Sequence, residues 1–442
     1  MTNVTVNSSL MGTGKSLKMI EKINNSDSDQ RYIIVLPFIS ECHRYAGTIS
    51  DPETGEKQKP LKDDKGNIIY ENRGCAVSGR RFHHPSVGYN RSKVDDIAEL
   101  VERGLDIVTT HAALKMFTNK TRDHIKDNGY KLIIDEELEC IKPVGIKRER
   151  RHLLLNSGVV RPNLETGLLE WTDEDYADGS EEDDLDSTGL SWEQRVKMMC
   201  NNGSLLLIED SKGDRKFFMW EYPVSFITAF DEIEVMTYLF EGSVFQKYLQ
   251  FHDIPYSVQR GIMLPDDPFN MIRVLDNDKM NRPGAREAAL SATHQQGLSK
   301  NTAYAETMKK HLTNYFNNST YGRASMDERM WSCLKGAKSI FQGKGYTKRY
   351  VPHNIKAVND YNHVSKVAYV YNSFLHPDVE NHLSKRGLEY RPSSDRFALT
   401  ELLQNVYRSR VRKDEPINLY IPSQRMRDIL EEWMKGGYDE IV

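Results

Sequence analysis

Nowhere in the 442 residues does an apolar run approach the ~18 uncharged residues that a membrane-spanning helix needs. The first residues also lack the charged and then apolar segments of a secretory leader. A membrane protein and an exported one are therefore not expected. Cysteine is scarce, with five residues in all (Cys42, Cys75, Cys140, Cys200 and Cys333) and no C-x-x-C pair among them. That excludes a disulfide framework and a cysteine-based zinc site, and fits a reducing cytoplasm. A surplus of basic residues is missing too: 60 Lys and Arg stand against 64 Asp and Glu, for a net charge of −4. At first sight this argues against nucleic acid as a partner.

What is present is the mixture of a soluble globular chain, 38% hydrophobic, 28% charged and 10% aromatic. The length exceeds one ordinary core and suits two domains. Short β-branched runs recur at Val4-Thr5-Val6, 32–36, 105–110 and 131–135, with helical stretches such as 17–23 between them. Such runs read as strands of a parallel sheet buried on both faces. Residues 51–72 carry turn signals and read as a hairpin insertion. A further strand is expected over 234–240 and a helix over 244–251. The second half repeats the style, with strands at 271–275, 366–371 and 417–421 and helices at 303–316, at 398–412 and after Ser423. The fold class expected is α/β with two domains, 1–243 and 244–442, each a parallel sheet flanked by helices.

Residues 173–186 hold nine acids in fourteen positions and no base. This reads as a solvated loop. Because its nine acids outweigh the net charge of −4, the rest of the chain is net basic, and whole-chain charge is a poor witness against a nucleic-acid track.

Chemistry enters at Ser9-Leu10-Met11-Gly12-Thr13-Gly14-Lys15-Ser16, which fits the phosphate-binding loop G-x-x-x-x-G-K-[ST] with Ser9 in place of the first glycine. Gly12 and Gly14 let backbone amides turn inward, with Thr13 between them. Lys15 reaches the β and γ phosphates, and the Ser16 hydroxyl ligates magnesium. The apolar strand 132–134 ends in Asp135-Glu136-Glu137-Leu138, placing Asp135 to hold the metal and Glu136 to polarise the attacking water. Together they specify nucleotide hydrolysis, with ATP and Mg2+ as cofactors.

With Leu36-Pro37-Phe38 at one strand end and Val108-Thr109-Thr110-His111 at another, the chain resembles the superfamily 2 helicases and translocases of the DExx type, with a phage-encoded flavour. The resemblance covers roughly residues 5–412. It implies two RecA-like domains with the nucleotide in the cleft between them, and nucleic-acid contacts from Pro37, Thr110 and His111. As an alternative, the Thr-Thr-His segment caps a helix. Gln404-Asn405-Val406-Tyr407-Arg408-Ser409-Arg410-Val411-Arg412 is similar to motif VI, Q-x-x-G-R-x-x-R, with Tyr407 replacing the glycine. Gln404, Arg408 and Arg412 would share one side of a helix and reach the γ phosphate, although Arg410 also competes for the role of arginine finger. Lys356, Asn359 and Asp360 are the candidates for motif V, and Met236-Thr237-Tyr238 is preferred over Ile227-Thr228-Ala229 for motif III. The basic clusters 147–152 and Lys344, Lys348, Arg349 and Lys356, with Tyr346 and Tyr350 interleaved, suit phosphate gripping and base stacking or else a solvated face.

The function expected is ATP-dependent movement on, or unwinding of, DNA in phage replication, recombination or repair, in the host cytoplasm. The partners would be single-stranded or forked DNA, or RNA, together with replication or recombination proteins. A viral genome-packaging ATPase and a DNA-binding ATP switch are the alternatives.

Overall fold

A computed structural model describes residues 2–46, 61–62, 68–69, 80–85, 92–173, 176, 191–209, 216–300, 302–353 and 361–438. Six strands, β1 (Asn3–Ser8), β2 (Arg31–Leu36), β3 (Ile107–Thr110), β4 (Tyr130–Asp135), β5 (Glu232–Thr237) and β6 (Tyr256–Arg260), form one sheet. Their order across it is β6-β1-β5-β4-β2-β3, with every pairing parallel. Alternation explains why the strands are apolar throughout: Val4, Val6, Ile33, Val35, Leu132, Ile134, Ile233 and Val235 enter one core. Tyr32, Ile34, Leu36, Val108, Ile133 and Met236 enter the core on the opposite face, against Met19, Ile20 and Ile23 of the helix Lys15–Asn24.

The second sheet has four parallel strands, β7 (Ile272–Val274), β8 (Arg329–Ser332), β9 (Lys366–Tyr369) and β10 (Ile417–Tyr420), in the order β7-β10-β9-β8. Helix Ser394–Val406 covers one face through Ala398, Leu399, Leu402 and Leu403. Helix Ala303–Asn317 covers the other, and its expected stripe of Met308, Leu312 and Phe316 is buried there beside Trp331 and Tyr420. Both halves are thus parallel α/β layers.

Several elements depart from expectation. The chain leaves the first sheet only after Arg260, beyond the expected boundary at 243, because Phe245, Tyr248 and Leu249 pack in the first core and β6 pairs with β1. Strand β8 and a small antiparallel sheet of Ile141–Pro143, Leu205–Glu209 and Lys216–Glu221 were not anticipated. Within the expected hairpin, Leu61–Lys62 pairs antiparallel with Ile68–Ile69. Of the acidic stretch 173–186, only Asp173 and Tyr176 fall within the described residues.

The two halves interlock. Leu10, Tyr238 and Leu239 enter the second core, while Leu375, Val379 and Leu383, around the helix Pro377–Ser384, enter the first. That helix is also anchored by a half-buried carboxylate–imidazole cluster: Glu221 accepts from His252 Nε2 at 2.8 Å and from His382 Nε2 at 2.6 Å. Burial by itself would raise the Glu221 carboxyl, but the hydrogen bonds and charges of the two imidazoles override it and hold it down at about 2. A depressed carboxyl contributes stability that is present above its unfolded value and is lost as pH falls through its folded one. We therefore expect Glu221→Gln to cost about 3 kcal/mol at pH 7, read as a lower urea midpoint. The gap from the natural protein should close between pH 4.5 and about 2, the window of the shift. A gap that persists at pH 2 would show that the carboxylate charge contributes nothing.

Candidate functional site

The phosphate-loop residues join the carboxyl end of β1 to the helix Lys15–Asn24. Gly12 and Gly14 sit at φ 84° and 81°, left-handed backbone that a glycine adopts without steric cost. The loop is cross-braced. Ser9 Oγ lies 3.1 Å from Thr13 Oγ1, which donates to Leu10 O at 2.8 Å, and the Ser9 amide donates to Thr237 O at 3.0 Å. Lys15 Nζ donates to the loop's own carbonyls, Ser9 O and, at 3.2 Å, Leu10 O. Ser16 is half-buried at the start of the helix.

Across β5 from β1, strand β4 delivers the acids. Asp135 ends that strand, and Glu136 follows it at φ 69°, with its amide donating to Met236 O at 2.8 Å. A left-handed glutamate costs on the order of 1 kcal/mol, a strain of the kind that collects at working sites. The carbonyl of Met236 thus steers Glu136 and the carbonyl of Thr237 steers Ser9, so the preferred motif III segment bridges loop and acids. The other candidate, 227–229, lies at the end of the short helix Val224–Ile227.

Electrostatics ties these groups together. Burial lowers the Lys15 ammonium to about 8 despite the opposing charges of Asp135 and Glu136. Burial raises the Asp135 carboxyl to about 7, helped by the charges of Glu136 and Glu41 and opposed by Lys15. A carboxylate disfavoured by burial and by neighbouring carboxylates is one that a divalent cation would stabilise. Among the described residues no three His, Cys, Asp or Glu side chains are grouped to hold a metal. Asp135 with the Ser16 hydroxyl is nonetheless the donor set that suits magnesium, which keeps most of its ligands as water and phosphate oxygens. Glu41, in the helix Ile39–Ala46 directly after β2, is a member of this site that sequence reasoning passed over. The one available signal was its place in the first turn after a strand end.

The second half contributes the arginines, though not as one helical face. Helix Ser394–Val406 stops before Arg408, and a separate 3-10 turn, Arg410–Lys413, begins after Ser409, whose Oγ accepts from the Val411 amide. Gln404 is half-buried near the end of the helix, Arg408 is buried at 4% exposure in the connecting turn, and Arg412 is exposed in the 3-10 turn. Among the described residues, Arg408 Nε and Nη1 have no hydrogen-bond partner. Its guanidinium is pushed down to about 10 by burial, opposed by the charges of Glu136 and Glu401. Arg412 approaches the loop itself, its Cγ lying 3.6 Å from where a Cβ on Gly12 would stand. Arg410 is instead held within its own turn, donating to Pro416 O at 2.5 Å and pairing with Glu415 at 4.0 Å.

The candidate nucleic-acid residues divide. Pro37 follows β2 and Thr110 ends the neighbouring strand β3 at one edge of the first sheet. Thr110 caps the short helix His111–Leu114, and His111 Nε2 lies 2.7 Å from Asp135 O, so this loop is wired to the acidic strand end. Lys356, Asn359 and Asp360 lie outside the described residues. Of the aromatics interleaved with the basic clusters, Tyr346 is fully buried beside Trp331 and is part of the core, not a stacking surface. In the first cluster Arg151 is buried, and Arg150 lies 4.9 Å over the Trp192 ring.

Residues 267–434 match the family model of the YonV C-terminal Rossmann-like domain. Over 458 aligned residues the chain is 26% identical to the SPbeta prophage-derived uncharacterized protein YonV of Bacillus subtilis (strain 168), an alignment spanning 99% of this chain and 100% of the relative. The match gives the second half a Rossmann-like fold, in agreement with its parallel sheet. Among the described residues no helix is long and apolar enough to cross a membrane.

Proposed function

We propose that this protein is an ATP-dependent DNA helicase or translocase of phage type, with two RecA-like domains and ATP with magnesium bound between them. The observation that carries the reading is the placement of Glu136. It acts on the charge of Lys15 in the first half and on that of Arg408 in the second. A carboxylate whose charge acts on both a phosphate-loop lysine and a buried arginine, the latter with Nε and Nη1 unpartnered among the described residues, suits hydrolysis of a γ phosphate.

The residues divide the work. Backbone amides at Gly12 to Ser16 and the helix start receive phosphate, and Lys15 exchanges its bonds to Ser9 O and Leu10 O for phosphate oxygens. Asp135 and Ser16 hold the metal, which supplies charge neutralisation when bound. Glu136 takes the proton of the attacking water, and Arg408, with Arg412 at the loop, reads the γ phosphate from the second half. Pro37, Thr110 and His111 would meet the nucleic-acid backbone, with Lys356 and Asn359 expected to do so from the second half. Because His111 also binds Asp135 O, strand contact and hydrolysis share one wire.

The experiment is the ATPase rate without nucleic acid and with single-stranded DNA, duplex DNA or RNA, joined to a strand-displacement assay. A helicase shows stimulation by single strands together with displacement. A switch hydrolyses ATP without displacement, and a packaging motor responds to duplex. In the same series Lys15→Ala is expected to weaken ATP binding by about 2 kcal/mol, roughly thirtyfold, as one charge-assisted phosphate contact is lost. Equal binding by Lys15→Ala and the natural chain would remove the phosphate-loop assignment.

A further inference from the structure

Ser9 stands where a phosphate loop ordinarily has glycine, and the chain makes room for it from elsewhere. Directly after β6, Gly261 crosses beside the loop. A Cβ at that position would lie 2.8 Å from Ser9 Cβ and 3.4 Å from Ser9 Oγ. Carbon atoms pack best about 3.5 to 4.0 Å apart, so the approach is possible only without a side chain at residue 261.

Neither strand of this contact has slack. The Gly261 amide donates to Ser8 O at 2.9 Å, and the Leu10 amide donates to Ile262 O at 2.7 Å, bracketing Ser9 on both sides. Tyr238 hydroxyl donates to Met263 O at 2.6 Å, and Arg260 donates to Glu241 Oε1 at 2.8 and 3.0 Å, so the crossing segment is fixed at both ends. On the loop side, Ser9 Oγ meets Thr13 Oγ1 and the Ser9 carbonyl accepts from Lys15. Any push on Ser9 passes to Thr13 and Lys15.

We infer that Gly261 is a positioning residue for nucleotide binding: its missing side chain admits Ser9 into the first position of the phosphate loop, and the two residues act as one coupled pair. The inference rests on the reading of residues 9–16 as a phosphate loop. Binding of a fluorescent ATP analogue with magnesium to the full chain tests it, using the natural protein, Lys15→Ala, Gly261→Ala, Ser9→Gly and the Ser9→Gly/Gly261→Ala double variant. Gly261→Ala is expected to weaken binding about tenfold, the cost of overpacking expressed as affinity. Ser9→Gly sets the reference, and the double variant should bind within about twofold of it. A purely structural glycine would lower the thermal midpoint and leave affinity unmoved.

Natural affinity in Gly261→Ala, or a double variant about tenfold weaker than Ser9→Gly, overturns the pairing and leaves the phosphate loop standing. Should Gly261→Ala not fold, the double variant decides alone: folding with the affinity of Ser9→Gly supports the pair, and failure to fold or weaker binding than Ser9→Gly overturns it. Binding by the natural protein no tighter than by Lys15→Ala overturns the phosphate-loop reading and this inference with it.

Discussion

Glu136→Gln should bind ATP as tightly as the natural protein and hydrolyse it about a thousandfold more slowly, within the span that removal of a positioned general base produces. The substitution keeps the shape of the side chain and removes its basicity. The local structure gives reason to expect little collateral damage. Glu136 is held at φ 69° by its own amide, which donates to Met236 O, and that bond does not involve the carboxylate. Two further consequences follow from the charges around it. Lys15 and Arg408 would each lose a stabilising neighbour, while Asp135 would lose a repelling one, since the charge of Glu136 helps to raise its carboxyl to about 7. Metal affinity should therefore be retained. Single-turnover hydrolysis with a separate binding titration reads both numbers, and undiminished turnover would remove Glu136 from the role of base.

How much of this was visible in the chain varies with what enforces each feature. The strand, glycine turn and helix around residues 9–16 and the acidic end of β4 were legible because backbone geometry demands particular residue types at short range: glycines at 12 and 14 for left-handed backbone, and an apolar strand delivering Asp135. Long buried strands were legible for the same reason, since β2 and β4 are nearly continuous apolar runs. Strand β6 escaped notice because Tyr-Ser-Val-Gln-Arg at the sheet edge buries almost nothing. It is held by backbone pairing to β1, which no side-chain pattern reports. Strand β8 is four residues of mixed type, three of them buried by neighbours far away in the chain.

The end of the helix before Arg408 was illegible for a different reason. No glycine or proline marks it, and the spacing of Gln404, Arg408 and Arg412 runs smoothly through the break. What stops the helix is local bonding, in which the Ser409 hydroxyl donates to Val406 O and accepts from the Val411 amide, and the Arg410 amide reaches across to Val364 O. The break decides where the arginines lie. It tucks Arg408 inside, sends Arg412 to the rim beside Gly12, and turns Arg410 back onto its own loop. Three arginines that looked interchangeable in sequence come to occupy three different places.

Arg408→Met is accordingly expected to move stability and activity in opposite directions. Arg408 is a buried cation whose Nε and Nη1 find no acceptor among the described residues. An apolar side chain of similar volume removes that desolvation cost, and replacements of this kind are often neutral or stabilising by about 1 to 4 kcal/mol. The opposing term is the loss of attraction to Glu136 and Glu401. Glu401 is half-buried and open to water, and Glu136, whose Oε2 is buried, keeps the charge of Lys15 as a neighbour, so the desolvation term should win. The thermal midpoint without nucleotide should therefore stay level or rise. Hydrolysis should fall by about a thousandfold, because an arginine that meets the γ phosphate is typically worth that much or more. Arg412→Met, exposed at the rim, should cost far less, which separates the two candidates in a single comparison. Differential scanning calorimetry and steady-state ATPase assays on the same preparations supply the readings. A destabilised Arg408→Met with normal turnover would make Arg408 a structural ion and leave Arg412 as the γ-phosphate sensor.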